Sequence, residues 1–150
     1  MDLLGDVKGK DAIIIDDICD TGGTLIRAGE ELLKRGAKSV YVCFTHPVFS
    51  NDAITRLCNS CFTKVITTDT IPLRKPAPDN LVVLSVAPML AEVIKRIQND
   101  DSVSEYLNNP TLVSAHTAPL KMGGNTKEKS MIKDNITTGF FNNILQKITS

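Results

Sequence analysis

The sequence predicts an α/β protein in which helices flank a mainly parallel sheet. Segments of strand character alternate with segments of helical periodicity along residues 11–98, and such alternation is typical of parallel sheets built from strand–helix–strand units. The first strand, at Ile13-Ile14-Ile15, is apolar on both faces, as in strands buried between two helical layers. A short Gly-containing loop then leads directly into a helix. Because open α/β sheets bind ligands beyond the carboxyl ends of their strands, this junction is the predicted site.

Each element is predicted from a local pattern. Helix 25–35 follows from apolar side chains near helical spacing, with Thr24 as its N-cap or first-turn residue and Gly36 as the residue after its C-cap. Three prolines between residues 72 and 80 predict a loop. In chain order we predict strand 11–16, helix 25–35, strand 39–44, a short helix from Ser50 or Asn51 to Asn59, strand 64–67, strand 81–85 and helix 86–98.

Helix 86–98 carries the clearest amphipathic pattern of the chain. Apolar residues recur along one side of it, at the spacing of a face that a core covers. These residues are Met89, Leu90, Val93, Ile94 and Ile97. We expect this face to pack in the core.

Residues 109–150 differ in composition from the rest of the chain. They are rich in Asn, Thr, Ser, Lys and Gly, so we expect disorder up to about residue 138. A late apolar cluster at helical spacing predicts a short terminal helix. That cluster is Phe140, Phe141, Ile144, Leu145 and Ile148. We therefore predict one domain over residues 1–108 and a tail over residues 109–150.

Composition is that of an ordinary soluble globular protein. The chain is 42% hydrophobic and 23% charged, with a formal net charge of zero, and zero net charge argues against a general nucleic-acid binder. No apolar run approaches membrane-spanning length. The N-terminus lacks the basic and apolar regions of a signal peptide. We therefore predict a cytoplasmic protein with neither nucleic acid nor membrane as its partner.

The four cysteines invite a zinc interpretation that their spacing does not support. Cys58 and Cys61 have the two-residue gap of a zinc ligand pair, but a structural zinc site needs four ligands in a spaced set. Cys19 and Cys43 lie at other spacings. We predict reduced thiols, buried or half-buried.

The 20–24 loop, Asp20-Thr21-Gly22-Gly23-Thr24, has the composition of a phosphate cradle. Its two glycines lack the Cβ atoms that would block close approach of an anion to the backbone. Thr21 and Thr24 add hydroxyl donors, and the helix start adds partial positive charge. Asp20 is expected to accept hydrogen bonds from loop amides. An ordinary strand–turn–helix, with Asp and Thr as caps, is the structural alternative.

Two adjacent carboxylates, Asp16 and Asp17, end the predicted strand. Neighbouring strand residues point to opposite faces, so we expect two different roles. Carboxylates accept hydrogen bonds from vicinal hydroxyls and hold hydrated Mg²⁺ directly or through water. His46 follows the second strand at the same edge of the sheet, either as a residue of the site rim or as a polar strand end.

The run from Asp16 to Thr24 resembles the phosphoribosylpyrophosphate (PRPP) motif shared by phosphoribosyltransferases and ribose-phosphate pyrophosphokinases. Four further segments are similar to the pyrophosphokinases in the same order, and together they extend the resemblance over about residues 3–107. They are Gly5 to Lys10, Thr45 to Ser50, Thr68 to Pro72 and Ser102 to Ser104. By this resemblance the chain is similar to the C-terminal portion of such an enzyme.

The resemblance implies a phosphoribosyltransferase type I-like fold, incomplete at its N-terminal side, and a reaction in which ribose 5-phosphate and ATP give PRPP and AMP. It implies that the 20–24 loop holds the 5-phosphate, that Asp16 and Asp17 bind the ribose hydroxyls, and that Mg²⁺ is the cofactor. It also makes Ser102 a candidate allosteric residue, although Leu107 replaces the Phe of many members near that site. Family members form oligomers, so a homo-oligomer or a hetero-oligomer with full-length members is expected.

The first domain of such enzymes, with most of their ATP contacts and a mobile basic loop, has no counterpart here. Catalytic residues are expected in that upstream part, so we expect this chain alone to bind ribose 5-phosphate weakly without turnover. Two alternatives remain. One is a phosphoribosyltransferase that uses PRPP, and the other is a non-catalytic subunit that joins an active partner.

Overall fold

The computed structural model describes residues 5–115. The chain divides into two compact units, Met1–Val83 and Leu84–Ser150, and the domain boundary at residue 108 stays a prediction. The predicted terminal helix lies outside the described residues. In the part of the chain described, no helix is both long enough and apolar enough to cross a membrane.

Four strands form one sheet in the order in which they follow along the chain. They are β1 (Asp11–Cys19), β2 (Ser39–Pro47), β3 (Lys64–Thr68) and β4 (Leu81–Leu84). β1 pairs parallel with β2 from Asp11 opposite Ser39 to Cys19 opposite Pro47, and β2 pairs parallel with β3. The predicted parallel α/β architecture is confirmed, and it brings the carboxyl ends of β1, β2 and β3 to one edge.

β1 and β2 each continue three residues beyond their predicted ends. The ladder persists as Ile18 faces His46 and Cys19 faces Pro47, because main-chain pairing does not need apolar side chains where one face is open to solvent. Asp16 and Asp17 consequently lie inside β1 rather than at its end. Only Asp20, Thr21 and Gly22 separate β1 from the first helix.

The helices alternate with the strands as predicted. They are α1 (Gly23–Lys34), α2 (Ala53–Cys58), α3 (Ala87–Gln98), α4 (Val103–Leu107) and α5 (Pro110–Ala115). Gly36 follows the C-cap of α1 with φ +90°, as predicted. α5 lies at the start of the predicted tail, and the expectation of disorder up to about residue 138 stays a prediction.

The core of the first unit lies around β2. Val40 and Val42 on β2 and Val65 on β3 are completely buried, and β2 alternates buried with partly buried residues as a sheet flanked on its faces does. Leu25 and Leu32 of α1 and Leu57 of α2 join the same cluster. α1 and α2, which follow β1 and β2, are therefore held on the sheet by buried apolar side chains.

The prediction that the apolar face of α3 packs in the core is wrong for part of that face. None of its residues is fully buried, and Leu90, Ile94 and Ile97 are 50%, 63% and 63% exposed. Within the second unit a different side of α3 makes the contacts, since the Arg96 guanidinium lies 5.2 Å from the ring centroid of buried Tyr106. Periodicity identified an apolar face but not the surface that covers it.

Candidate functional site

The candidate site is built where β1 runs into α1. Gly22 is the N-cap of α1, and its carbonyl accepts the N–H of Ile26 at 3.0 Å. Thr24 lies in the first turn, as one of its two predicted positions required. The first amides of a helix have no partner within it. The 20–24 loop therefore places free N–H donors at the edge where the strands end.

The two glycines of the loop differ in their surroundings. Gly22 has φ +72°, and a Cβ atom built there would lie 2.8 Å from Cδ1 and Cγ of Leu57. A Cβ atom on Gly23 would meet only the hydroxyl of Thr21, at 3.9 Å. Gly22 is thus required by backbone conformation and by packing, whereas the space beside Gly23 is open to a ligand.

Three consecutive carbonyls of the chain entering the loop accept hydrogen bonds from the segment that follows β2. These bonds run from Phe49 N to Cys19 O at 3.1 Å, from Ser50 N to Asp20 O at 3.2 Å, and from the Arg56 guanidinium to Thr21 O. The loop is therefore held from the α2 side. We did not anticipate Arg56 or Leu57 from sequence. The sequence indicates them in one way only, because the predicted second helix, which contains both residues, starts at the sheet edge where β2 ends.

The polar side chains of the loop face solvent. Asp20, Thr21 and Thr24 are exposed. The Asp20 carboxylate accepts no hydrogen bond from a loop amide within residues 5–115, so the predicted turn contact is not found. The main-chain carbonyl of Asp20 accepts the N–H of Ser50 at 3.2 Å.

Asp16 and Asp17 are both exposed near the loop. The N–H of Asp17 donates to Oδ1 of Asp16 at 2.9 Å, so part of the Asp16 carboxylate is already bonded. Burial, and then the negative charges of Asp16 and Asp20, raise the pKa of the Cys19 thiol to about 12. The charges of Asp16 and Asp20 therefore both act on the thiol at the end of β1.

Magnesium fits these carboxylates only in a water-mediated way. No group of three or more His, Cys, Asp or Glu side chains in residues 5–115 is arranged to hold a metal ion. Mg²⁺ commonly keeps several waters and takes one or two carboxylates together with substrate phosphates. Asp16 and Asp17, as exposed carboxylates, suit that mode of binding.

His46 lies at the same sheet edge, as predicted, and contacts another of the segments that the sequence singled out. Its Nδ1 is 3.0 Å from the hydroxyl of Thr70. The hydroxyls of Thr68 and Thr70 donate to the carbonyl of Thr45 at 2.7 Å and 3.1 Å. Residues 45–50 and 68–72 are therefore neighbours beside the ends of β2 and β3.

The remaining candidates have structural contacts. Ser102 caps α4 by accepting the N–H of Glu105 at 3.1 Å, and its carbonyl accepts Nη1 of Arg96 at 2.9 Å. Its allosteric role stays a prediction. The four cysteines are free thiols, and burial raises the pKa of each. The pKa of Cys43, for example, rises to about 11.

Comparison with known proteins identifies the family. The family model described as phosphoribosyl synthetase-associated domain matches residues 1–108. Ribose-phosphate pyrophosphokinase of Aquifex aeolicus is 49% identical over 104 residues, which are 69% of this chain and 33% of that protein. The enzyme of the same name from Gloeobacter violaceus is 52% identical over 108 residues, 69% of this chain and 32% of that protein.

A solved structure agrees with these relatives. Phosphoribosylpyrophosphate synthetase from Mycobacterium smegmatis is similar with a TM-score of 0.61 and 42% identity, over 65% of this chain and 33% of that one. The fold is phosphoribosyltransferase type I-like, as predicted. The chain spans about a third of the length of these relatives, and its placement in their C-terminal portion stays a prediction. The chain belongs to the ribose-phosphate pyrophosphokinase family.

Proposed function

We propose that this chain supplies the ribose 5-phosphate-binding part of a ribose-phosphate pyrophosphokinase. The observation that carries the proposal is the 20–24 loop, where open space beside Gly23 adjoins the first-turn amides of α1, which no side chain of residues 5–115 caps. Relatives about half identical to this chain are named as pyrophosphokinases. In this proposal the loop holds the 5-phosphate.

The donor set suits a phosphate dianion. The first-turn amides of α1 and the hydroxyls of Thr21 and Thr24 supply hydrogen bonds to phosphate oxygens. The helix N-terminus adds a fixed partial positive charge. Asp20 is turned away from the phosphate by like-charge repulsion. The loop thus recognises the terminal anion of the sugar and not its ring.

Asp16 and Asp17 hold the ribose ring in this proposal. Carboxylate oxygens accept hydrogen bonds from the vicinal 2- and 3-hydroxyls of ribose, and Asp17 has the freer carboxylate, since Asp16 already accepts the N–H of Asp17. The same two residues would hold Mg²⁺ through water, and the ion supplies charge neutralisation for the nucleotide phosphates when bound.

The reaction is diphosphate transfer. The anomeric hydroxyl of ribose 5-phosphate attacks the β-phosphorus of ATP, the bond from that phosphorus to the α–β bridging oxygen breaks, and AMP leaves with PRPP as the other product. The residues of this chain act by positioning the attacking sugar, which is the main contribution of protein groups in such transfers. ATP contacts belong to the length of the relatives that this chain does not cover, so the chain alone binds the sugar weakly and does not turn over.

The partial coverage of the relatives supports a second candidate function, that of a non-catalytic subunit. A chain that retains the sugar-phosphate site but spans a third of the relatives' length is also suited to join full-length family members as a non-catalytic subunit. We propose a cytoplasmic homo-oligomer or hetero-oligomer as the working form. Addition of the chain to a full-length relative would reveal the subunit role as altered AMP release.

Calorimetric titration of the full chain tests the proposed function. We expect binding of ribose 5-phosphate and none of ribose at the same concentrations, since the loop recognises the phosphate. Thr24→Ala should weaken the binding, whereas Ser104→Ala, on α4 of the other unit, is the control and should leave it unchanged. Absence of ribose 5-phosphate binding would overturn the proposal. Stronger binding of PRPP than of ribose 5-phosphate would favour a phosphoribosyltransferase instead.

A further inference from the structure

The segment from Phe49 to α2 donates three hydrogen bonds to the loop. As described above, each of the three carbonyls of residues 19–21 accepts a hydrogen bond from Phe49 N, Ser50 N or the Arg56 side chain. The Phe49 ring packs edge-to-face on buried Phe44, with the ring centroids 5.6 Å apart. We call residues 49–57 the brace, and the contact of Phe49 with Phe44 connects it to the core through β2.

Fixing these carbonyls fixes the direction of the loop amides. A peptide unit is planar, and in the trans form its C=O and N–H point in opposite directions. No peptide bond among the described residues is cis. Because the carbonyls of residues 19–21 point toward the brace, the N–H groups of Asp20, Thr21 and Gly22 point away from it.

Arg56 acts on the peptide that enters α1. Its target, the carbonyl of Thr21, belongs to the peptide that enters Gly22, the left-handed N-cap of α1. Leu57, the next residue of α2, lies directly against Gly22. The two main-chain donors would survive any side-chain change, so Arg56 is the part of the brace that a substitution can remove.

We infer that Arg56 is a positioning residue for sugar-phosphate binding. It orients the Gly22 N–H toward the phosphate by holding the Thr21 carbonyl, and it places a positive charge beside a loop bordered by two carboxylates. Arg56 does not itself contact the sugar. The identity of the ligand rests on the proposed function, whereas the contact between Arg56 and the Thr21 carbonyl is independent of it.

Three variants of the full chain separate this role from a general charge effect. Arg56→Met keeps the length of the side chain but removes its charge and its donors. Arg56→Lys keeps the charge and one donor group. Arg35→Met is the matched control, because Arg35 is exposed, makes one side-chain hydrogen bond to Glu31 at 2.8 Å, and lies at the far end of α1.

We expect Arg56→Met to weaken ribose 5-phosphate binding about tenfold, the scale of one hydrogen bond from a charged group. Arg56→Lys should recover part of that loss, and Arg35→Met should bind within about twofold of the unchanged chain. Thermal stability should change little in all three variants, since Arg56 and Arg35 are both exposed. In the ligand-free chain, the NMR residual dipolar coupling of the Gly22 N–H should change in Arg56→Met alone.

Unchanged affinity of Arg56→Met for ribose 5-phosphate would overturn the inference, and so would an unchanged Gly22 coupling. If the unchanged chain fails to bind ribose 5-phosphate, the proposed function fails instead. The Gly22 coupling still decides the role of Arg56 in that case, because it is measured without ligand.

Discussion

Substitution of the loop glycines provides the sharpest test of the site geometry. Gly22→Ala forces an L-residue into a left-handed conformation at φ +72°, which costs about 1–2 kcal/mol. The new Cβ atom also lies 2.8 Å from two carbons of Leu57, a residue with no exposed surface. Displacing a fully buried side chain costs about 1–3 kcal/mol. We therefore expect a loss of about 2–5 kcal/mol in the free energy of unfolding.

Gly23→Ala is the control, because the neighbouring glycine has neither constraint. Its φ lies outside the left-handed region, and only the Thr21 hydroxyl, at 3.9 Å, is near the new Cβ atom. Alanine in a helix is favoured over glycine by up to about 1 kcal/mol, so stability should stay level or rise. The added methyl group occupies the open space proposed for the phosphate, so ribose 5-phosphate binding should fall.

Urea denaturation followed by circular dichroism gives the stabilities, and calorimetry gives the affinities. We expect the two substitutions to affect different properties. Gly22→Ala should lower stability, whereas Gly23→Ala should keep stability and weaken ribose 5-phosphate binding. Equal stability of the Gly22→Ala variant and the unchanged chain would refute the packing argument. Undiminished binding by Gly23→Ala would refute the placement of the phosphate.

Three further predictions concern the ligand contacts, one buried thiol and the open strand. Asp17→Asn and Thr24→Ala should each weaken ribose 5-phosphate binding by about 1–3 kcal/mol, measured by calorimetry; unchanged affinity in both would contradict their roles. The raised pKa of Cys19, about 12 against 9.0, stabilises the fold below pH 9 and loses that stabilisation as the pH rises toward 12. Cys19→Ala should therefore lessen the alkaline fall in unfolding free energy by about 1.4 kcal/mol per pH unit, and parallel pH profiles would exclude this linkage. Ile15 is 66% exposed on β1, which pairs only with β2 among the described strands, so sedimentation should show self-association that Ile15→Lys reduces; a monomer at all concentrations would contradict it.

Local patterns were sufficient for the order and type of the elements from β1 to α3. Alternation of strand and helix signals does not depend on distant contacts, and a parallel sheet follows from that alternation. The 20–24 loop was predicted because its chemistry is contiguous in sequence. The ends of β1 and β2 were predicted too early, since ladder pairing continues wherever a neighbouring strand does, whatever the side chains are.

The face of α3 shows a different limit of sequence patterns. Leu90, Ile94 and Ile97 have the spacing of a buried stripe, yet all three are at least half exposed. A helical period states that one side of a helix is apolar. It contains no information on whether the covering surface belongs to the same chain. A stripe of this kind predicts a contact, and only the structure shows whether the described residues make it.

The contacts that residues 49–57 make with the loop explain why the sequence predicted the candidate site but not its support. Gly22 and Gly23 are equivalent as letters, and both were assigned to close approach of an anion. The structure gives them separate reasons, because Leu57 lies against the first and open space adjoins the second. Arg56 lies 35 residues after Thr21 in the chain, and Leu57 is the next residue. No local sequence pattern therefore links them to the loop. In the proposed phosphate site, the direction of the loop amides depends on hydrogen bonds from Phe49, Ser50 and Arg56, which lie outside the 20–24 loop.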